Sequence, residues 1–74
     1  MDGTQTAQLV KALDDRRWQD RITTRELCRR LGITTQTWYC MVRGDLVAGP
    51  KVELAVLRRY PDIAERIVGA QGVA

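Results

Sequence analysis

The stretch LCRRLGITTQTWYCMVRG, Leu27–Gly44, decides how the rest of this chain is read. Two short helical patterns lie in it, separated by Gly32, a residue that tolerates the left-handed conformation at the end of a helix. Thr34 is suited to cap a second helix, which runs from Thr35 to about Arg43 and stops at Gly44. At about 100° per residue, Trp38, Met41 and Val42 fall on one side, which is expected to face the core. Gln36, Tyr39, Cys40 and Arg43 fall opposite, with Thr35 on the flank. That outward face holds an amide, a phenol, a thiol and a guanidinium, and no acid. An idle solvent face usually mixes Glu, Lys and Ala. Gln can instead pair with adenine at two points, Arg with guanine or a phosphate, and Tyr with a phosphate.

Upstream, Thr23 stands three residues before Glu26, the capping-box spacing, and Leu27, Cys28 and Leu31 form the apolar side of that helix. Earlier still, Leu9, Val10 and Leu13 make one stripe over a segment from about Thr6 to Arg17. Trp18 is expected to fold back and close the core. Downstream, 45–49 reads as a loop and Pro50 as the first residue of a fourth helix. That helix runs to about Arg59, with Val52, Leu54, Ala55, Val56 and Leu57 to bury. Pro61 opens a fifth, striped by Ile63, Ile67 and Val68, before a small-residue tail at 69–74 that should fray. The expectation is an all-α, single-domain chain over 1–74: a compact bundle of about five short helices, with a helix-turn-helix at about 23–44.

Charge is unevenly placed. The 74 residues carry 12 bases and 9 acids. From Arg21 to Tyr60 there are eight bases against three acids, while the flanks hold four bases against six acids. A basic centre with acidic flanks suits a phosphate-facing surface; a merely solvated basic face is the plainer explanation. There is no His and no Ser, and two Cys do not make a disulfide framework or a zinc site. No apolar run approaches the roughly 20 residues of a membrane span. No catalytic constellation, cofactor, metal or small-molecule ligand is expected, and the chain reads as cytoplasmic, in a bacterial cell or on its nucleoid.

The spacing of Leu27, Cys28, Leu31, Gly32, Ile33, Trp38 and Met41 follows a DNA-binding helix-turn-helix. Residues 23–45 resemble the motif of the Cro and lambda-repressor-like family of bacterial and phage regulators, and PKVELAVLRRYPDIAERI resembles its later helices. The likeness covers about Ile22 to Val68. It implies that Thr24 touches a phosphate at the start of the first motif helix, with Arg25 and Arg30 of that helix near the DNA backbone. It implies that Thr35 and Gln36 read bases, that Tyr39 reaches bases or backbone, and that Arg43 contacts the backbone. Two departures stand out: Cys28 replaces the usual Ala, and Trp38 replaces a Val or Ile, which implies either a wider spread between the motif helices or a shift of the first helix.

These readings lead to a sequence-specific double-stranded DNA-binding regulator, a Cro-like phage repressor. The alternative is an antitoxin or adaptor that keeps the fold without reading DNA. Cys40 on the outward face is a weaker candidate for a redox switch, and Arg58 and Arg59 either meet phosphates or solvate a helix end. A homodimer through the fifth helix (Ile63, Ile67, Val68) is expected if those residues exceed what docking needs; otherwise they cap the core against Leu57 and Leu13.

Overall fold

The computed structural model describes residues 1–69, and the side chains up to Ile67. Among them the chain is entirely helical: α1 (Gly3–Asp20), α2 (Thr24–Leu31), α3 (Thr35–Arg43), α4 (Pro50–Arg59) and α5 (Pro61–Ala64), continued by a π-helical turn, Glu65–Gly69. The all-α bundle expected from the sequence is the observed class, with the fifth helix split into an α turn and a π turn. The tail at 70–74 and the side chain of Val68 lie outside the described residues.

Each boundary has a local cause. Asp2 caps α1 in a reciprocal box: its carboxylate accepts from the Gln5 N–H at 2.7 Å, and the Gln5 amide oxygen accepts from the Asp2 N–H at 3.0 Å. The helix therefore starts three residues before the expected Thr6. At Thr23 only half of such a box forms. Its hydroxyl accepts from the Glu26 N–H at 3.1 Å, while the Glu26 carboxylate turns to Arg29 and Arg30. Thr34 caps α3 by accepting from the Thr37 N–H at 3.1 Å. Gly32 (φ 70°) and Gly44 (φ 83°) end α2 and α3 in the left-handed region. There the N–H groups of Ile33 and Asp45 reach back to the carbonyls of Cys28 and Cys40 at 3.0 and 2.9 Å.

α1 is the long rail against which α2, α3, α5 and the π turn pack, and α4 packs on α2 and α5. The core contains Leu9, Leu13, Leu27, Leu31, Trp38, Met41, Val52, Val56, Ile63 and Ile67. One buried polar link stitches α1 to the loop before α4: the Thr6 hydroxyl donates to the Asp2 carbonyl at 2.8 Å and accepts from the Ala48 N–H at 3.0 Å. Arg16 ties α1 to α5 through an ion pair with Asp62, and its guanidinium lies 5.4 Å from the Tyr60 ring centroid. Some desolvation pushes the Asp62 carboxyl upward, but the Arg16 hydrogen bond and charge and two backbone N–H groups win, leaving it below its ordinary range.

Several apolar expectations fail, and helix geometry explains each. Trp18 does not close the core; it is 68% exposed, with the Arg17 guanidinium stacked 4.8 Å from its ring. α1 runs on past it, and Trp18 sits about 140° around the helix from Leu13. Val42 is half exposed, because the bundle covers α3 only on the arc from Trp38 to Met41. Leu54 and Leu57 are also exposed. α4 buries Val52 and Val56, and these two leucines project about 160° and 100° around from Val56. Conversely, Ile63 and Ile67 are 1% and 5% exposed, so these two side chains belong to the chain's own core.

Tyr60, between α4 and α5, is buried, and its hydroxyl faces the Arg30 guanidinium of α2, whose pKa it helps to raise.

Candidate nucleic-acid interface

α2 and α3 are joined by three residues, Gly32 to Thr34, and so form a tight helix-turn-helix. α2 presses Leu27, Cys28 and Leu31 inward, and α3 presses Trp38 and Met41 inward. The burial of Cys28, only 2% exposed, pushes its thiol pKa up and leaves it a packing residue in the place of a small apolar one. With its inner side fixed, α3 presents Thr35, Gln36, Tyr39, Val42 and Arg43 to solvent. Cys40 is half-buried on the flank.

The residues singled out from the sequence fall into three groups. Thr35, Gln36 and Tyr39 share the open face of α3 and make no side-chain hydrogen bond among the described residues. Thr24, the first residue of α2, is half-buried and borders the same shallow crevice as Tyr39 and Val42, between α1 and α3. Arg43 shares the open face, but its guanidinium is engaged: it pairs with Asp45 at 3.1 Å and donates to the Cys40 sulfur at 3.5 Å. A phosphate at Arg43 would therefore compete with Asp45.

The cations sort by what they already hold. Arg25 is exposed and has no acid within 4 Å among the described residues. Arg29 pairs with Glu26 at 3.1 Å, and Arg30 spans Glu26 and Asp20 at 3.5 and 3.7 Å. The Arg29 hydrogen bond, with Arg30 adding to it, outweighs partial desolvation and holds the Glu26 carboxyl below its usual range. Arg30 thus braces α1 against α2, and a phosphate there would compete with Glu26 and Asp20. Arg58 and Arg59 are exposed at the end of α4, unpaired among the described residues.

Two residues belong in this group that the sequence reading left out of it. Val42 adds a methyl-bearing surface beside Tyr39, the kind of group that meets a thymine methyl. Its position only 40° around α3 from Trp38 made it look buried; the shortness of α3 and its place at the bundle edge leave it open. Arg21 ends α1 with φ 55° and is exposed. A side chain in the left-handed region costs about 1–2 kcal/mol, which Gly would avoid, and the cation is held at the α1–α2 corner nonetheless.

No helix of the described residues is long and apolar enough to cross a membrane. No family model matches the chain, and no curated protein or solved structure matches it.

Proposed function

We propose that the chain is a sequence-specific double-stranded DNA-binding regulator of the Cro-like kind, reading a half-site in the major groove with α3. The observation that carries this reading is the open face of α3. Thr35, Gln36, Tyr39 and Val42 stand exposed on a helix that follows a three-residue turn, and among the described residues their side chains make no hydrogen bond. An α-helix fits the major groove, and amide, hydroxyl and methyl groups are what base edges there answer to. Arg25, at the start of α2, and Arg21, at the α1–α2 corner, supply cations for the flanking phosphates.

The test is selection of binding sites from a random duplex pool. Enrichment of a defined half-site supports the reading, and recovery of unenriched sequence defeats it. An adaptor or antitoxin with the same fold would recover no sequence and show little salt dependence, whereas phosphate binding weakens steeply as counterions are released.

The free and the engaged cations should behave differently. Arg25→Ala is expected to lower affinity for selected and scrambled duplexes alike and to flatten the slope of log K against log salt by about one unit. Arg30→Ala should barely change that slope, because its charge is already spent on Glu26 and Asp20. Binding isotherms at four salt concentrations distinguish them; equal slopes for both variants and wild type would remove α2 from the interface.

A further inference from the structure

An apolar recess lies on the far side of α4 from the core. It is a groove between α4 and α5 walled by Pro50, Leu54, Leu57 and Pro61, with Glu53 and Glu65 along its edge. Leu54 and Leu57 are 46% and 54% exposed there. Among the described residues nothing covers them, and the α3 face does not use them.

The charges around this ridge are sorted. Glu53 lies on the groove side of the Leu54–Leu57 ridge, its carboxylate shared with the Met1 ammonium, with Glu65 of the π turn beside it. Lys51 and Arg58 lie on the other side, about 60° and 40° around α4 from Leu54, and both are exposed with no acid in reach among the described residues. A surface acidic on one edge and basic on the other is complementary to itself when two copies pair with α4 parallel, about a twofold axis along the seam. Each acidic edge then meets the partner copy's basic edge. An antiparallel pairing would set like charges together.

We propose that this ridge and groove form a homodimer seam in which the α4 helices of two copies lie parallel. Leu54 and Leu57 have the a-to-d spacing of a parallel helix pair. Glu53 precedes Arg58 by five residues, the spacing at which facing g and e positions exchange ion pairs. The seam is only two to three turns long and falls short of the roughly 800 Å² per partner of a stable interface, so the pair is weak, with Kd on the order of 10–1,000 µM. It takes the place of the fifth-helix surface, whose isoleucines are consumed by the core. The inference does not rest on DNA binding, and its test contains no DNA.

Sedimentation equilibrium up to about 1 mM chain should show a monomer–dimer equilibrium. Leu57→Glu, at an exposed site, should weaken it at least tenfold with the thermal melt unchanged. Glu53→Arg and Arg58→Glu should each weaken self-association, because like charges then face each other across the seam. Their equimolar mixture should associate more tightly than either alone, since the heterodimer regains both opposite-charge pairs. Glu53 also accepts from the Met1 amino group at 2.6 Å, so circular dichroism melts accompany every variant, and Arg58→Glu is free of that side effect. A chain that stays monomeric throughout overturns the proposal and leaves the groove to a different partner. So does a dimer indifferent to Leu57→Glu, or a mixture no tighter than its components.

Discussion

Trp38→Ala is expected to cost about 3–5 kcal/mol, the range for truncating a buried aromatic. The indole is 3% exposed, on the inner side of α3, and belongs to the same core as Leu9, Leu13 and Leu27. Its loss leaves a cavity that short helices fixed by three Schellman-type ends at Arg21, Gly32 and Gly44 cannot easily collapse around. A chain of 74 residues has a total stability of roughly 4–11 kcal/mol. The substitution therefore removes a large share of it, and the melting temperature should fall by more than about 12 °C. Trp18→Ala is the matched control. That side chain is mostly exposed, and its removal should stay within about 0.5 kcal/mol. Fluorescence gives an independent reading: the Trp18→Ala protein should emit at the blue wavelength of a buried indole, the Trp38→Ala protein at the red of a solvated one. A melting temperature for Trp38→Ala within a few degrees of wild type would contradict the packing of α3 described above.

Gln36→Ala and Tyr39→Ala should each lower affinity for a selected operator by about 1–3 kcal/mol, roughly 5- to 150-fold, while binding to scrambled duplex stays nearly constant. Both side chains are uncharged at neutral pH, so they add little to the attraction common to all DNA. Both are exposed and outside the core, so neither loss can be ascribed to unfolding; Ala is the better helix former at position 36. For Gln36 the effect should map to one base pair in the half-site, and changing that pair should no longer matter to the variant. Val42→Ala extends the series: removing the methyl-bearing surface should cost less, and only where a thymine stands opposite. Titrations of operator and scrambled duplex at one salt concentration measure all three, with circular dichroism as the folding control. If the operator-to-scrambled ratio survives both Gln36→Ala and Tyr39→Ala, α3 is not a reading helix and the proposed function loses its support.

Much of the architecture was legible along the chain because it depends on neighbours in sequence. Gly32 and Gly44 stop helices through their own backbone freedom. Thr34 caps through a hydroxyl three residues from its donor, and Pro50 and Pro61 start helices by their fixed φ. The same locality made the face of α3 readable: Gln36 and Tyr39 must lie opposite Met41 and Trp38 on any α-helix. The early start of α1 was equally local, written in Asp2 and Gln5, but one Gly at position 3 in the first turn masked it.

What the periodic pattern leaves open is how wide an arc of each helix the others cover, and that depends on contacts distant in sequence. Val42, Leu54, Leu57 and Trp18 are apolar, yet α3 and α4 are each covered on one narrow arc and α1 extends past its partners, so all four face water. Ile63 and Ile67 could have served a seam or a core; the closing of α5 onto α1 and α4 placed them in the core. The charges divide in the same way. Arg25 and Arg30 look alike five residues apart, but Asp20 comes into reach of Arg30 only when α1 folds back beside α2. Sequence alone determined where helices begin, end and turn their polar faces. Which apolar residues remain outside, and which cations remain free, was decided by the tertiary structure, because burial and ion pairing need a partner that chain order does not supply.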